Sequence, residues 1–549
     1  MDFESLKSSL EKYGQEHLLQ FWDTLSEEDR QKLSSDIKGI DFDEITKYYK
    51  QSASTLNEEI QKVDDIMQPL AKEQYGSVTR TDEKTLKSYS EEGLRLISEG
   101  KVGTLLLAGG QGTRLGVNYP KGMYDIGLPS GKTLFQIQAE RIKRLEDLSF
   151  DLTGVKGHIP WYIMTSFATK GKTMEFFEKN DYFSLKKENI TVFEQGMLPC
   201  YTNDGKLILE KPYKIASAPD GNGGLYRAIK QQKVLEDMEA RGVTCVHVYG
   251  VDNILVKVAD PVFIGYSSLK GSDCGAKVVE KAFPTEAVGV ICNVGNKCKV
   301  VEYSEITLKT AQKRNADGRL VFGAGNICNH YFTTEFLRKV IHEFELPHHV
   351  AKKKIPHAAA NGETVKPDKP NGLKLEKFVF DIFELAENFV AWEVLREDEF
   401  SPLKNADGAE KDTPTTARHS VYNLHQRYVL QAGGKFVDEN GEEIPLIPSV
   451  CDSQNGSVNG SVNGSHTQNG DTTSSQTSNS KYRLPVVCEI SPLVSYAGED
   501  LVRLVSEKAI MPPFHLQTTT EVKSVHVNGT NGTNGTSGSN GVNGGIIAV

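Results

Sequence analysis

The sequence predicts an α/β protein built on a mixed, mainly parallel β-sheet, because strand-like and helix-like segments alternate along its central part. The first of these segments is VGTLLLA at 102–108, a continuous apolar run that ends in glycines and suits a strand buried on both faces. Further strand-like runs and stretches with helical periodicity follow it, at 161–166, 190–193 and 243–252 and at 134–148 and 225–240, respectively. Strands that alternate with helices in this way predict βαβ units.

The first 98 residues predict a helical N-terminal domain, over 1–98. Apolar residues recur at helical spacing between Phe3 and Tyr13, and Ser26 with Asp29 has the pattern of a capping box. Charges of both signs are mixed through this region, and residues that favour strands are few. We expect these helices to pack on the flank of the main domain rather than to form a partner-binding unit.

The main domain is predicted over 99–400 and a smaller C-terminal domain over 401–524. Within the main domain, three closely spaced strand-like runs (GAKVVEKA, AVGVICNV and CKVVEY) predict an antiparallel insert or a sheet edge. After residue 400, short apolar pieces with Gly and Asn-Gly turns predict a β-rich domain. The polar stretches 452–480 and 525–549 are predicted to be a disordered loop and a disordered tail, because they cannot bury enough apolar surface to offset chain entropy.

The composition argues against several classes of function. The formal net charge is -10 and the pI about 5.8, which disfavours a domain-wide basic surface for nucleic acid. Eight scattered cysteines without a C-x-x-C pair predict reduced thiols, and with an N-terminus that lacks an apolar signal segment they predict a cytoplasmic protein. No apolar run reaches about 18 residues, so we expect no membrane partner. The sequence is compatible with a homodimer.

A glycine-rich segment, LAGGQGTRLGVNYPKG, directly follows the first predicted strand. Glycines at such a place let backbone N–H groups approach an anion without a Cβ in the way. The dinucleotide fingerprint is excluded because, after Gly110 and Gly112, the next glycine is Gly116, one residue too late. The Walker A pattern is excluded because GLPSGKT has three residues, not four, between its glycines. A dehydrogenase or a kinase is therefore disfavoured.

Two cations accompany these glycines. Arg114 and Lys121 lie within a dozen residues of them, and arginine offers a planar fork for phosphate oxygens while lysine offers a point charge. A glycine turn with two unrelated surface cations would look the same in composition, but the spacing favours a phosphate-binding loop. A zinc site is not predicted for the histidine-rich stretch HEFELPHH, because it lacks the i, i+4 spacing of H-E-x-x-H.

The pattern G-G-x-G-T-R-L followed by P-K is similar to the signature loop of nucleotidyltransferases that make nucleoside diphosphate sugars. The longer string LLLAGGQGTRLG…YPKGMYDIGLPSGKTLFQIQAERI resembles the eukaryotic UDP-N-acetylhexosamine pyrophosphorylases, as do APDGNGGLYRAI, VYGVDNILVKVADP and REDEFSPLKNADG. The resemblance covers roughly residues 1–510 apart from the low-complexity stretches. It implies a Rossmann-like nucleotide-sugar transferase core with a helical N-terminal region and a small β-rich C-terminal domain.

The resemblance also implies an activity: UTP and N-acetylglucosamine 1-phosphate react to give UDP-N-acetylglucosamine and pyrophosphate, with Mg²⁺ as cofactor. The sugar phosphate is already ionised near pH 7, since a phosphate monoester has a second pKa of about 6, and no general base is needed. A UDP-glucose or broad UDP-sugar pyrophosphorylase is the alternative that stays open. A binding protein without turnover is disfavoured, because Arg114, Lys121, Asp252 and Lys404 are all present.

The resemblance finally implies roles for single residues. It implies that UTP is bound by Leu107, Ala108, Gly109, Gly110, Lys121, Gln195, Gly221, Asp252 and Lys374. It implies that the sugar phosphate is bound by Asn222, Glu302, Tyr303, Asn326 and Lys404. The catalytic cations would be Arg114, Lys121 and Lys404, and Mg²⁺ would bind to Asp252, which ends an apolar run where α/β sheets build their sites. Lys374 and Lys377 lie in one KLEK unit; the residues alone leave both open, and the family favours Lys374.

Overall fold

The computed structural model describes residues 3–57, 63–447 and 484–517, so the predicted disordered segments 452–480 and 525–549 lie outside the described residues. In the described part the α-helices are α1 (Phe3–Glu11), α2 (Glu27–Lys38), α3 (Phe42–Asn57), α4 (Glu83–Ser98), α5 (Leu134–Thr153), α6 (Lys170–Lys179), α7 (Leu225–Gln231), α8 (Val234–Ala240), α9 (Pro261–Leu269), α10 (Leu308–Ala311), α11 (Thr334–Glu343), α12 (Arg396–Glu399), α13 (Pro414–Gln431) and α14 (Val502–Val505). Over these same ranges, we find no helix with both the length and the apolar character needed to span a membrane.

The β-strands are short apart from those of the central sheet. In chain order they are β1 (Met67–Gln68), β2 (Tyr75–Ser77), β3 (Val102–Leu107), β4 (Trp161–Thr165), β5 (Ile190–Glu194), β6 (Met197–Pro199), β7 (Leu209–Lys211), β8 (Lys214–Ile215), β9 (Ser217–Pro219), β10 (Cys245–Gly250), β11 (Cys274–Glu280), β12 (Val290–Val294), β13 (Lys297–Val301), β14 (Ala324–Thr333), β15 (His349–Lys353), β16 (His357–Ala358), β17 (Thr364–Val365), β18 (Gly372–Glu376), β19 (Phe389–Val394), β20 (Lys435–Phe436), β21 (Cys488–Ile490), β22 (Ala509–Ile510) and β23 (Phe514–Leu516).

The central sheet has the strand order β2-β19-β11-β14-β10-β3-β4-β5. Its neighbouring strands pair in parallel except at β14, which is antiparallel to both β10 and β11. The predicted mixed, mainly parallel sheet is therefore confirmed. Because β3, β4, β5 and β10 run in the same direction, their carboxyl ends lie at one edge of the sheet, where α/β proteins commonly build their sites.

The N-terminal region begins with three helices. α1 buries Leu6 and Leu10, and α2 is capped by Ser26, whose Oγ accepts a hydrogen bond of 3.2 Å from the Asp29 N–H, as the capping-box pattern predicts. These helices share one apolar core with the small strands β7, β8 and β18 on the flank of the main sheet. The helical prediction for 1–98 omits β1 and β2, because strands of two and three residues leave too short a pattern to recognise.

The three closely spaced strand runs separate into two different structures. β12 and β13 form an antiparallel hairpin, which confirms part of the prediction. β11 instead lies inside the sheet, parallel to β19 and antiparallel to β14, and for β11 the prediction of an insert or edge strand is wrong. The close spacing of the runs suggested an insert or an edge strand, but Lys277 of β11 is completely buried and pairs with Asp260 at 2.5 Å and with Glu399.

Two helical details differ from the sequence prediction. The stretch predicted as one helix over 225–240 is two helices, α7 and α8, because Lys233 between them has a left-handed backbone with φ of 56°. The C-terminal part begins with the 18-residue α13, which the prediction of short strands missed. α13 buries residues around much of its circumference, so its sequence lacks the single apolar stripe that marks a surface helix.

The N-terminal region is joined to the main domain by a close helix pair. α4 and α9 approach so closely that a Cβ added at Gly93 would overlap the backbone of Pro261, and one added at Gly265 would overlap the backbone of Tyr89. Backbone atoms cannot turn away as a side chain can, so both helices would have to separate to admit a methyl group.

We expect Gly93→Ala to lower the melting temperature clearly, since forcing atoms into a packed contact typically costs about 1–3 kcal/mol. Gly171→Ala is the matched control: this helical glycine of α6 has no neighbouring atom within 4 Å of an added Cβ. The control should be unchanged or more stable by up to about 1 kcal/mol, because alanine favours helix over glycine. Thermal unfolding of the two variants checks this, and equal melting temperatures would contradict the close helix contact.

Candidate active site

The glycine loop begins where β3 ends, at the carboxyl edge of the sheet. The Ala108 N–H donates to the Met164 carbonyl at 2.8 Å, which continues the sheet by one residue beyond Leu107. The chain then folds back on itself: the Gly112 N–H donates to the Tyr119 carbonyl at 3.1 Å, and the Lys121 N–H donates to the Gly110 carbonyl at 3.3 Å. The fold of this loop therefore places Lys121 directly beside Gly110, which precedes it by eleven residues.

Gln195 lies against the first of these glycines. It directly follows β5, and its backbone N–H donates to the Thr165 carbonyl at 2.8 Å. A Cβ on Gly109 would overlap the Gln195 side-chain amide oxygen, so the amide lies directly against this glycine. Ser166 fixes the same turn, because its hydroxyl donates to the Gly109 carbonyl at 2.8 Å. The ends of β3, β4 and β5 thus place the glycine loop and the glutamine amide together.

A second glycine turn packs on the segment after β18. Gly221 has φ of 87°, and a Cβ there would overlap the Lys377 carbonyl. The Gly223 N–H donates to that same carbonyl at 2.8 Å, and the Asn222 side-chain oxygen accepts a hydrogen bond of 3.0 Å from the Val379 N–H. The Asn222 amide oxygen is therefore used to hold this turn, while its amide nitrogen has no hydrogen bond among those of the described residues.

The segment after Ser401 reaches over to the end of β10. The Leu403 N–H donates to the Asp252 carbonyl at 2.8 Å, and the Lys121 ammonium group donates to the Leu403 carbonyl at 3.0 Å. Lys404 is the next residue along the chain, with an exposed side chain. One residue, Leu403, therefore ties together the glycine loop, the end of β10 and the lysine that follows it.

The same segment also holds the remaining cation. The Ala406 N–H donates to the Arg114 carbonyl at 3.1 Å. Burial is the largest cause that lowers the pKa of Lys121; the nearby Lys404 and Arg114 lower this pKa further, and the Asp252 carboxylate opposes them. The structure thus brings the predicted groups Arg114, Lys121, Asp252 and Lys404 into one electrostatic cluster.

A cleft opens beside this cluster. Four predicted site residues and two phenylalanines are among those that line it: Asp252, Glu302, Asn326, Lys404, Phe380 and Phe400. Burial is the main cause that raises the pKa of Glu302, and the neighbouring Glu305 carboxylate raises it further. The Asn326 side-chain oxygen accepts a hydrogen bond of 3.2 Å from the Cys328 N–H, which fixes the amide at the cleft wall.

Two predicted residues lie apart from the charged cluster. Tyr303 is 49% exposed and is not among the residues that line this cleft. Lys374, on β18, lies near Cys200: burial raises the pKa of that thiol to about 11, and the lysine charge acts in the opposite direction. Lys377 instead lies beneath the Gly221 turn, with its ammonium group 5.4 Å from the centroid of the Tyr48 ring. Of the two lysines of the KLEK unit, Lys377 contacts the glycine turn.

The sequence prediction missed Asp220, a carboxyl group between Gly196 and the second glycine turn. Asp220 is 3% exposed, and one of its oxygens lies 2.6 Å from the Cβ position of Gly196, the residue after Gln195. Its Oδ1 atom is buried without a hydrogen-bond partner. Burial raises the pKa of Asp220 to about 6, although Arg227 and Lys377 nearby lower it. The only sequence signal was the dense run of glycines that follows it in PDGNGG.

Asp412 was also missed, since no strand or motif marks it in the sequence. Its backbone carbonyl accepts hydrogen bonds from the N–H groups of Lys404 at 2.8 Å and Asn405 at 2.9 Å. Burial raises the pKa of its carboxyl, the Lys404 charge lowers it, and the Asp252 carboxylate raises it. Asp412 therefore closes the loop that carries Lys404.

Few side chains of this site could bind a metal ion. Over residues 3–57, 63–447 and 484–517, no group of three or more His, Cys, Asp or Glu side chains is arranged to hold a metal ion. The Asp252 carboxylate lines the cleft beside the cluster of cations. Mg²⁺ is commonly bound by one or two carboxylates together with substrate phosphates and water, so this donor set fits Mg²⁺ when a phosphorylated ligand supplies the other oxygens.

A glycine loop, three cations and a carboxylate at the carboxyl edge of a mainly parallel sheet define a nucleotidyltransferase-type α/β protein. Residues 42–467 match the family described as UTP–glucose-1-phosphate uridylyltransferase, and the chain belongs to this family. The chain is 50% identical over 503 residues to the human UDP-N-acetylhexosamine pyrophosphorylase-like protein 1, covering 91% of this chain and 94% of the human protein.

Two further relatives extend the likeness. The UDP-N-acetylglucosamine pyrophosphorylase of Saccharomyces cerevisiae is 42% identical over 443 residues, which cover 77% of this chain and 91% of the yeast protein. The crystal structure of the uridine diphosphate N-acetylglucosamine pyrophosphorylase from Trypanosoma brucei, solved with an inhibitor, superimposes with a TM-score of 0.72 at 30% identity. That match covers 91% of this chain and 94% of the trypanosome chain. The resemblance seen in the sequence motifs is thereby confirmed.

We expect Asp220→Asn to stabilise the protein more at pH 7.5 than at pH 4.5. The pKa of Asp220 in the folded protein is about 6, above the value near 3.9 of an unfolded chain. The carboxyl therefore contributes to the free energy of unfolding while it is protonated at low pH, and this contribution is lost as the pH rises through about 4 to 6. The full difference amounts to at most about 3 kcal/mol. Melting temperatures of wild type and variant at both pH values measure it.

Asp151→Asn is the matched control for this measurement, since Asp151 is an exposed carboxyl near the end of α5. Its effect on the melting temperature should be similar at both pH values. An Asp220→Asn effect of equal size at pH 4.5 and pH 7.5 would contradict a buried carboxyl whose pKa is raised to about 6.

Proposed function

We propose that this chain is a uridylyltransferase that makes UDP-N-acetylglucosamine and pyrophosphate from UTP and N-acetylglucosamine 1-phosphate. The observation that carries the proposal is the convergence of Arg114, Lys121, Asp252 and Lys404 at the glycine loop. The names of the relatives, which refer to N-acetylhexosamine or N-acetylglucosamine, support this substrate over glucose 1-phosphate. The unpaired thiols of the described part support action in the cytoplasm.

The proposed reaction is an in-line displacement. An oxygen of the sugar phosphate forms a bond to the α-phosphorus of UTP, while the bond from that phosphorus to the bridging oxygen breaks and pyrophosphate leaves. The nucleophile needs no base, since the second pKa of a phosphate monoester is about 6. The obstacle is repulsion, which amounts to roughly 4 kcal/mol for two unit charges 4 Å apart at an effective dielectric of 20. The protein must therefore bring positive charge to both reactants.

The cations divide this work by their positions. Arg114 and Lys121 lie on the glycine loop and would bind the phosphates of UTP, whose developing charge their N–H groups stabilise. Lys404 lines the cleft beside Glu302 and Asn326 and would bind the phosphate of the sugar. Lys121 is half-buried, and its ammonium donates to the Leu403 carbonyl, so the charge is already aimed before UTP arrives.

The uridine would lie between the two glycine turns. Leu107, Ala108, Gly109 and Gly110 offer backbone groups to the nucleotide, and the Gln195 amide, which has both a donor and an acceptor, suits the edge of uracil. Gly221 would face the base from the other side, and Lys374 would add positive charge to the UTP side.

The sugar would lie in the cleft. The Glu302 carboxylate can accept hydrogen bonds from sugar hydroxyls, and the Asn326 and Asn222 amides can bind hydroxyl and acetamido groups. Tyr303, exposed beside Glu302, would contact the sugar from the rim. Asp252 would hold Mg²⁺ together with phosphate oxygens; when bound, this ion neutralises negative charge that builds up on the phosphates.

The test of the proposed function is pyrophosphate release from UTP with a panel of sugar 1-phosphates, with and without Mg²⁺. We expect N-acetylglucosamine 1-phosphate to give the highest kcat/KM, and removal of Mg²⁺ with a chelator to abolish turnover. Asp252→Ala should lose most activity with an almost unchanged melting temperature. Glucose 1-phosphate as the best substrate would favour the broader UDP-sugar enzyme, and no turnover with any sugar phosphate would contradict the proposal.

The cations of the glycine loop are expected to stabilise the transition state. Arg114→Ala and Lys121→Ala should each lower kcat about a hundredfold or more, as expected when a contact that strengthens in the transition state is lost. Arg114→Lys should restore little, because a point charge cannot replace a bidentate fork. Steady-state kinetics at saturating UTP and sugar phosphate measure these effects.

Arg338→Ala is the matched control, since Arg338 lies on α11 and pairs at the surface with Glu239 at 2.5 Å. This variant should keep the kcat of the wild type. If kcat is unchanged in both loop variants as well, the loop only positions the nucleotide, and the assignment of transition-state stabilisation to Arg114 and Lys121 is wrong.

A further inference from the structure

We infer that Asn253, the residue after the proposed metal ligand, is a positioning residue that sets the place of Lys404 in the cleft. The inference rests on the proposed function, because it concerns how one of the proposed catalytic cations is held. Asn253 belongs to the motif GVDN, in which only the aspartate has a proposed role. Its side chain is 5% exposed and lines the same cleft as Asp252 and Lys404.

The Asn253 amide binds two points of the segment that leads to Lys404. Its Nδ2 group donates to the Glu399 carbonyl at 2.7 Å, and its Oδ1 atom accepts from the Ser401 N–H at 2.9 Å. Oδ1 also accepts from the Leu255 N–H at 3.3 Å, which fixes the amide relative to its own chain. Asn253 and Glu399 are 146 residues apart in sequence, so this side chain joins two distant parts of the protein.

The chemistry of these bonds requires an amide. The two groups on the facing segment are a carbonyl and an N–H, so the side chain must donate and accept at the same time. Aspartate has the same shape but no donor, and leucine or alanine has neither group. Because Glu399 and Ser401 are both buried, water cannot replace the lost bonds there, and an unpaired buried polar group is unfavourable.

The far end of the segment is fixed independently. The Glu399 carboxylate is 4% exposed and forms ion pairs with Lys277 and, at 3.5 Å, with Lys257. Lys277 also pairs with Asp260 at 2.5 Å, which completes a buried ion cluster. Lys277 stands on β11 in the middle of the sheet. The segment that leads to Lys404 is therefore connected to the sheet by the Glu399 ion pairs. It is connected to the end of β10 by the hydrogen bonds of Asn253.

The two anchors place the ammonium group of Lys404 together with the hydrogen bond from the Lys404 N–H to the Asp412 carbonyl. Apart from the Asn253 amide, the segment from Ser401 to Lys404 is bound to the end of β10 by two backbone hydrogen bonds, from the Leu403 N–H to the Asp252 carbonyl and from the Ile254 N–H to the Ser401 carbonyl. These bonds can remain while the segment tilts, whereas the buried amide fixes residues 399 and 401 at once. A displacement of about 1 Å at a reacting group can lower the rate by about a hundredfold. Removal of the amide should therefore lower kcat while substrate binding at the glycine loop persists.

The test is steady-state kinetics of Asn253→Ala with UTP, N-acetylglucosamine 1-phosphate and Mg²⁺. We expect kcat per folded molecule to fall about tenfold to a hundredfold and the KM for UTP to change less than about threefold. Asn253→Asp keeps the acceptor and the volume but places an oxygen against the Glu399 carbonyl, so its kcat should fall at least as much. Asn388→Ala is the control: its exposed amide also binds two backbone groups, the carbonyls of Lys270 and Gly271, but at the opposite edge of the sheet, and its kcat should equal that of the wild type.

A double-mutant cycle with Lys404→Ala separates positioning from a general structural role. If Asn253 acts through Lys404, adding Asn253→Ala to the Lys404→Ala variant should lower kcat by less than about threefold relative to Lys404→Ala alone. The inference would be overturned if Asn253→Ala lowered kcat equally in the wild type and in the Lys404→Ala variant. An unchanged kcat in Asn253→Ala would overturn it too, as would failure of both Asn253 variants to fold. A wild type that releases no pyrophosphate would instead overturn the proposed function, and a Lys404→Ala variant with full kcat would overturn the role of Lys404 and this inference with it.

Discussion

The backbone hydrogen bonds of the segment from Glu399 to Ala406 are the constraint on which the proposed site depends. The charged groups come from distant parts of the chain, and no sheet pairing alone would bring them together. Leu403 binds both Asp252 and the Lys121 ammonium, and Ala406 binds the Arg114 carbonyl. Since like charges repel by several kcal/mol at short range in a partly buried site, only an otherwise stable frame can hold three cations side by side.

The sheet supplies that frame because of where its one antiparallel strand lies. β14 runs between β10 and β11, so the end of β10 and the end of β11 open on either side of it. The cleft opens on the β10 side of this strand, with Asn326 from β14 as part of its wall. Beneath the cleft, the completely buried Lys277 and its carboxylate partners connect β11 to α9 and α12. A charge that would be costly alone in this interior becomes an anchor when it is fully paired.

The sequence predicted the main strands and the glycine loop because both have strong local signals. The buried strand VGTLLLA and the glycines after it can be recognised without any distant contact. The prediction for β11 was wrong because it rested on the close spacing of three short runs, and spacing along the chain does not show which strands become neighbours in the sheet. Asp220, Asn253 and Asp412 were missed for a related reason: their importance lies in bonds to residues far along the chain. The resemblance to a family supplied Lys374, whereas the structure brings Lys377 to the Gly221 turn.

Several groups of this site are held in states that water would not favour. Burial lowers the pKa of the Lys121 ammonium and raises the pKa values of the Asp220 and Glu302 carboxyls, so the folded protein without substrate carries desolvated polar groups. A phosphate beside Lys121 would replace lost water with a charge-assisted hydrogen bond, and part of the binding free energy would thereby offset this cost. A ligand that binds only the folded protein must also stabilise it. The same arrangement that makes the free site unfavourable thus holds its cations in place before the polyanion binds. A reaction between two polyanions requires such preorganised positive charge.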